Sequence, residues 1–132
     1  MSRAAVYSLT KNDPIIGTLI KDVQAFAAVD TPRKAERPFI VIKWGNTAPG
    51  AVRSRGPVPV TFWVYDTSRD YAVITAVIER LKAVMADAIH VVGEDGWTLS
   101  QAQWESESED LYDDIYECIV RTVTFTIVTR PS

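Results

Sequence analysis

The chain has 132 residues and a mass of 14.7 kDa, so we expect a single compact domain over residues 1–132. Hydrophobic residues make up 47% and charged residues 23%, which excludes disordered, collagen-like and coiled-coil proteins. With a net charge of −3, the chain lacks the positive electrostatic field that supports nonspecific nucleic-acid binding. One cysteine, Cys118, excludes an internal disulfide, and one histidine, His90, excludes a Cys/His metal cluster.

Neither a signal peptide nor a membrane span is expected. Lys11 to Pro14 interrupt any apolar region near the start of the chain. The longest unbroken apolar run, Ala25 to Val29, is far shorter than the ~20 residues that cross a bilayer.

The first half of the chain contains one short helical segment and three strand candidates. Arg3 to Ile20 predicts one or two short helical turns that break at Asp13-Pro14, because a residue before proline disfavours helical backbone. Asp22 to Ala28 is a weak strand candidate. Phe39 to Trp44, rich in β-branched and aromatic residues, predicts a strand, and the alternation from Val58 to Tyr65 predicts the next.

The second half predicts one helix and two strands. From about Ser68 to Ala88, apolar residues recur at three- and four-residue steps, which is the period of an amphipathic helix. Trp97 to Glu105 predicts a strand of mixed polarity, and Cys118 to Thr129 a long strand whose apolar face is interrupted by Arg121. This order predicts an α+β fold: a mainly antiparallel β-sheet packed against one long helix, with a short N-terminal helix.

The strand from Val58 to Tyr65 separates aliphatic from aromatic side chains. A two-residue period puts Phe62 and Val64 on one face and Trp63 and Tyr65 on the other. Only one face can lie under the helix, so we predict that Trp63 and Tyr65 on the other face contact another subunit. Trp63→Ala should then weaken association and leave the melting temperature of the subunit nearly unchanged.

The glycine-rich stretch after the second strand does not form a phosphate-binding loop. Gly45 to Gly50 has the glycine spacing, but Ala51-Val52 replace the required lysine and hydroxyl residue. Asn46 to Pro57 is therefore read as a long hairpin connection. The alternative is a partner-binding arm that carries Arg53 and Arg55.

No pattern of residues predicts catalysis. A Gly-x-Ser-x-Gly elbow is missing, and His90 follows the helix beside two valines, which favours a structural role. Cys118 opens an apolar strand and is expected to be a small buried hydrophobe. We therefore expect neither an enzyme nor a bound cofactor or metal.

Acidic residues cluster near the end of the chain and basic residues nearer its start. The acidic segment holds seven of the 17 acids: Glu105, Glu107, Glu109, Asp110, Asp113, Asp114 and Glu117. It contains no glycine, which a calcium loop would need. Six bases lie between residues 33 and 55: Arg33, Lys34, Arg37, Lys43, Arg53 and Arg55. The acidic segment is either a solvated loop or a charged patch that faces a basic partner or lines a passage. Separated charges of opposite sign suit contacts between identical subunits.

The order of several short segments resembles the tail terminator and tail completion proteins of long-tailed bacteriophages. The similar segments cover most of the chain: Asn12-Asp13-Pro14-Ile15-Ile16, Asp22-Val23-Gln24-Ala25-Phe26, Pro32, Arg37-Pro38-Phe39-Ile40-Val41-Ile42, Val64-Tyr65-Asp66, Asp70-Tyr71-Ala72-Val73-Ile74 to Leu81, and Ser108-Glu109-Asp110-Leu111-Tyr112-Asp113-Asp114 into Tyr116. Their order, rather than any single motif, carries the resemblance.

The resemblance implies a non-enzymatic virion protein in which six subunits close into a ring that caps the tail tube. The ring ends tube growth and offers a surface to the head connector. The implied partners are further copies of the chain, the tail tube protein and the head–tail connector protein, with DNA passing through without specific binding. The implied location is the virion tail, with assembly in the host cytoplasm. On this view, Trp63, Tyr65, Arg53 and Arg55 contact another subunit or the tube. The acids Glu105, Glu107, Glu109, Asp110, Asp113 and Asp114 add negative charge to the ring lumen or to one ring face.

Two alternatives remain open from the sequence. Head-completion or neck adaptor proteins share the size and the ring symmetry of tail terminators. A small-ligand binding module could instead use the tryptophan-rich sheet face as an apolar pocket.

Overall fold

A seven-stranded sheet with helices on one face organises the chain. The computed structural model describes residues 3–20, 22–24, 38–45, 57–66, 71–93, 96–114 and 117–131. The helices are α1 (Arg3–Asn12), α2 (Pro14–Leu19) and α3 (Ala72–Ala86). The strands are β1 (Asp22–Gln24), β2 (Phe39–Trp44), β3 (Pro57–Asp66), β4 (Val91–Val92), β5 (Trp97–Glu107), β6 (Leu111–Asp113) and β7 (Cys118–Pro131).

Two long strands form the centre of the sheet. The strand order is β1-β2-β3-β7-β5-β4, and β6 pairs with β7 beyond this path. β3 and β7 are antiparallel from Pro57 opposite Val128 to Asp66 opposite Ile119. The other described pairings are antiparallel too, except that β1 runs parallel to β2. Sequence-distant strands therefore meet at the centre, and the order of strands along the chain does not give their order in the sheet.

The break between the first two helices follows from Asp13-Pro14. Asp13 has extended backbone and caps α2, because its Oδ2 accepts a hydrogen bond from the Ile16 N–H at 3.0 Å. Pro14 then occupies the first helical position, where a missing N–H costs nothing. The predicted interruption at this dipeptide is confirmed.

Helix α3 packs its apolar stripe on one face of the sheet. Its buried residues are Ile74, Val77, Ile78, Leu81 and Met85. Below it lies the aliphatic face of β3, formed by Val58, Val60, Phe62 and Val64, and Phe62 meets Phe125 of β7 edge to face at 5.7 Å. The prediction that this face of β3 lies under the helix is confirmed.

The predicted architecture of a sheet under one long helix, with one short helix before it, is wrong. Helix α3 has 15 residues and ends at Ala86. His90, which has a positive φ of 54°, then lies directly before β4. The predicted start at Ser68 lies outside the described residues. Near the N-terminus there are two helices, since Asp13-Pro14 ends one and begins another. The structure is a largely antiparallel sheet carrying short helices, with one parallel pair.

Candidate functional site

The second face of the sheet carries a small hydrophobic core of its own. Its buried residues are Phe39, Val41, Tyr65, Cys118 and Val120, with Trp63 and Leu111 partly buried against them. Cys118 is fully buried, as the sequence predicts. Both faces of β3 are thus packed.

The two aromatic residues of β3 differ in exposure. Tyr65 is only 4% exposed and stacks on Phe39 with ring centroids 4.7 Å apart. Trp63 is half-buried, stacks against Tyr65 at 6.5 Å, and has the Lys43 Nζ 4.1 Å from its ring centroid. Tyr65 therefore belongs to the interior of the subunit, and Trp63 is the aromatic side chain of this pair that reaches the surface.

Trp63 forms one wall of a groove of about 370 Å³. The groove is lined by Trp63, Leu111, Tyr112, Asp113, Asp114 and Val120. The strand register explains this grouping, because β7 lies between β3 and β6 and pairs Val120 with Tyr65 on one side and Leu111 on the other. Tyr112 is 60% exposed. The groove thus combines an apolar floor and aromatic side chains with two carboxylates.

Part of the acidic segment is neutralised within the subunit. Glu107 lies 3.2 Å from the Lys82 Nζ and 3.9 Å from the Arg121 Nη2. Asp110 lies 3.5 Å from the Arg121 Nε, which is buried and makes no hydrogen bond to any described residue. Burial opposes the charge of Lys82, but hydrogen bonds to Glu107 and Glu79 outweigh it, so the pKa of Lys82 is raised. Arg121, which interrupts the apolar face of β7, therefore forms ion pairs with Glu107 and Asp110.

The remaining acids of the segment leave a more open negative surface. Glu105, Glu109 and Asp114 are exposed, and none of them forms an ion pair with a cation of the described ranges. Asp113 and Asp114 lie in the groove beside Trp63. The segment therefore contains Glu107 and Asp110, which pair with Arg121, and three exposed acids, Glu105, Glu109 and Asp114, which pair with no described cation.

The predicted interface residues are brought together only in part. Trp63 and Tyr65 lie together on the second face of the sheet, and two acids of the predicted charge patch, Asp113 and Asp114, line the groove beside Trp63. Arg53 and Arg55, like the connection from 46 to 56, lie outside the described residues. Their predicted role in subunit or tube contact stays a prediction.

Other polar contacts have no signal in the sequence. Arg80 binds Asp13 through two hydrogen bonds, although the two residues are 67 positions apart. The Lys82 Nζ also lies 5.0 Å from the ring of Trp104, which is 49% exposed. Only the three-dimensional register of helix and sheet brings these pairs together.

The single histidine of the chain lies at the surface. His90 is exposed, and its Nδ1 lies 3.2 Å from the Arg130 Nη2. Among the residues the structure describes, no three His, Cys, Asp or Glu side chains are grouped as metal ligands. No helix in those ranges has the length and apolarity to cross a membrane.

The comparisons with known proteins identify a structural relative. No protein-family model and no curated protein sequence matches the chain. A solved structure described as "Virion of native gene transfer agent (GTA) particle" contains a chain that superposes with a TM-score of 0.70 at 11% sequence identity. The match covers 96% of this chain and 92% of that one. The superposition shows that the two chains share a fold, although only 11% of their residues are identical.

Proposed function

We propose that this protein is a structural component of a phage-like virion that closes into a ring, caps the tail tube and forms the surface to which the head attaches. The observation that carries this proposal is the fold, which matches a chain of a gene transfer agent virion over nearly the full length of both. The ordered resemblance of short segments to phage tail terminators supports the finer role at the end of the tube.

The surfaces of the subunit support assembly. The chain combines an open acidic surface at Glu105, Glu109 and Asp114 with a stretch of six bases between residues 33 and 55. Opposite charges on one chain favour head-to-tail contacts between identical subunits, which close into a ring when the rotation allows. A hexamer is the ring size we propose.

The proposed role is architectural and non-enzymatic. The partners are further copies of the chain, the tail tube protein and the head–tail connector, and DNA passes the ring without specific binding. Unpaired carboxylates at the lumen or on one ring face would repel passing phosphates. The protein would act in the virion tail after assembly in the host cytoplasm.

A neck adaptor is the alternative within this class, because it would use a ring of similar size on the connector side of the joint. A small-ligand binding module is the alternative outside it, and the groove beside Trp63 is the observation that favours it. These three roles differ in the partner that is bound first.

The test combines the purified protein with tail tube protein and, separately, with the connector. Native mass spectrometry should detect a six-subunit assembly, and electron microscopy should show added density at one end of each tube together with arrested tube growth. Binding to the connector alone would favour the neck adaptor. A monomer that binds a metabolite and leaves both partners untouched contradicts the virion proposal. Tube protein without the cap provides the control for uncapped growth.

A further inference from the structure

We propose that the groove beside Trp63 is the receptor for an arginine side chain from residues 50–57 of a second copy of this chain. The inference deepens the proposed self-assembly and rests on it. It assigns the two sides of one subunit contact: Trp63, Tyr112, Asp113 and Asp114 on one copy, and Arg53 or Arg55 on the next.

The chemistry of the groove suits a guanidinium group. Arginine combines an apolar stem with a planar cation that stacks on aromatic rings and pairs with carboxylates. The groove offers the matching surfaces: the indole of Trp63, the apolar side chains of Leu111 and Val120, and the carboxylates of Asp113 and Asp114. Its volume of about 370 Å³ accommodates one side chain with its neighbouring backbone.

The ring of Trp63 already contacts a cation in the subunit. The ammonium group of Lys43 lies 4.1 Å from the centroid of the Trp63 ring, while Lys43 itself is exposed. The contact shows that this indole binds a positive charge on its ring. Lys43 is not among the residues that line the groove, so it is not part of the receptor.

The occupant belongs to another copy because Arg53 and Arg55 of the same subunit are poorly placed to reach the groove. Trp63 follows Pro57 by six residues in β3, which separates them by about 20 Å. Arg55 precedes Pro57 by two residues, so backbone and side chain together span about 14 Å. Arg53 would reach its own Trp63 only with the intervening chain fully extended back along β3. The same arginines of a neighbouring subunit are not limited by this distance along β3.

The charge of the segment complements that of the groove. Residues 50–57 read Gly-Ala-Val-Arg-Ser-Arg-Gly-Pro and carry two positive charges with no negative one. The groove carries two carboxylates, and Asp114 has no ion pair with any described cation. The arrangement is heterologous, since groove and segment are different surfaces, as a closed ring requires.

The experiment titrates the full-length protein with a capped synthetic peptide of residues 50–57, using NMR shifts of the Trp63 indole N–H and of the Asp113 and Asp114 amides. A peptide with glutamine at both arginine positions is the control ligand. Asp113→Asn with Asp114→Asn should weaken binding roughly fivefold or more. Glu105→Gln with Glu109→Gln removes the same charge outside the groove and should change affinity by less than about twofold.

The outcomes separate this inference from the proposed function. Saturable shifts confined to the groove, lost with the glutamine peptide, support it. It is overturned by no shift at the groove up to about 5 mM peptide, or by equal weakening in the two double variants. A ring that forms in native mass spectrometry while the peptide fails to bind overturns the groove assignment and leaves the proposed function intact. A peptide that binds to a protein that never forms a ring supports the groove and contradicts the ring.

Discussion

Asp13 and Arg80 form a two-point ion pair that joins α2 to α3. The Arg80 Nη2 lies 2.7 Å from the Asp13 Oδ1, and the Arg80 Nε lies 2.9 Å from the Asp13 Oδ2. The same Oδ2 accepts the hydrogen bond from the Ile16 N–H that caps α2. The Asp13 side chain is 8% exposed, so water hardly competes for it. The Asp13 carboxylate thus caps the start of α2 and also fixes the position of α2 against α3.

Asp13→Ala should destabilise the subunit by about 2 kcal/mol, because the cap and the ion pair are lost together. Asp13→Asn retains a capping oxygen and loses the charge, so its cost should be about half as large. Urea denaturation of both variants measures the difference. Glu79→Gln, which alters an exposed carboxylate on α3, is the matched control and should change stability by less than about 0.5 kcal/mol. Equal losses in the two Asp13 variants would contradict the contribution of the cap.

The stability that Asp13 supplies should vanish in acid. The hydrogen bonds from Arg80, with a smaller contribution from the Ile16 N–H, hold the pKa of Asp13 below its usual 3.8 against the opposing effect of burial. A carboxyl whose pKa is lower in the folded state stabilises the fold above its unfolded pKa and loses that effect as pH falls through the folded pKa. The stability gap between wild type and Asp13→Asn should therefore be constant above about pH 5 and shrink below 3.8. Denaturation at stepped pH measures it, and a gap that widens in acid would contradict the assignment.

Gly45 directly follows β2, at a point where the chain passes close to Pro59 of β3. Its N–H donates a hydrogen bond to the Pro59 carbonyl at 2.9 Å, and a Cβ at this position would overlap the Pro59 ring and lie 3.3 Å from the Pro59 oxygen. Gly45→Ala should cost about 1–3 kcal/mol, because the ring of proline cannot rotate away. Gly45→Ala combined with Pro59→Ala should recover part of this loss in a double-mutant cycle. Gly17→Ala, where a Cβ meets open space on α2, is the control and should be neutral or stabilising.

Tyr65 and Tyr112 test the division between interior and surface on the second face of the sheet. Tyr65 is 4% exposed and stacks on Phe39, so Tyr65→Ala should destabilise the subunit by about 3–5 kcal/mol. Tyr112→Ala removes a side chain that is 60% exposed and should cost less than about 1 kcal/mol. Trp63→Ala should fall between them, and not be nearly neutral as the sequence alone predicts, because Trp63 is half-buried and packs against Tyr65. Thermal unfolding of the three variants gives the order, and a small effect at Tyr65 would show that this aromatic cluster is not part of the core.

The sequence predicts the periodic elements of this fold better than their arrangement. Strict alternation from Val58 to Val64 correctly identifies the face of β3 that lies under α3, because a strand has only two faces. The parallel pairing of β1 with β2 leaves no local signal, since pairing is set by contacts between distant residues. β4 and β6 have two and three residues, which is too few for a pattern to emerge.

In the candidate site, too, the sequence does not reveal contacts between residues that are distant along the chain. The two-residue period places Trp63 and Tyr65 on one face but does not distinguish the buried Tyr65 from the half-buried Trp63. That difference arises from Phe39, which stacks on Tyr65 from the neighbouring strand. The charge cluster is visible in the sequence, yet its division into paired and unpaired acids depends on Lys82 and Arg121, which come from other elements.

The paired and the exposed acids of the acidic segment should respond differently when they are neutralised. Glu107 and Asp110 compensate Arg121, whose side chain is only 17% exposed, and Glu107 also pairs with Lys82. Removing both carboxylates leaves a largely buried guanidinium without its counter-charges, which is costly in a partly dehydrated position. Glu107→Gln with Asp110→Asn should therefore lower the free energy of unfolding by about 1–2 kcal/mol, and 1 M salt should reduce that loss only in part.

Glu105→Gln with Glu109→Gln changes the net charge equally and is the matched comparison. These two side chains are exposed and form no ion pair with a described cation, so their neutralisation relieves repulsion among the acids and should leave stability unchanged or slightly raised. Urea denaturation at low and high salt distinguishes the pairs of substitutions. If both double variants lose the same stability, Arg121 does not depend on its neighbours and the segment acts as a uniform charged surface. If only the first pair destabilises the subunit, Glu107 and Asp110 serve the fold, and the exposed acids remain available for contacts outside the subunit.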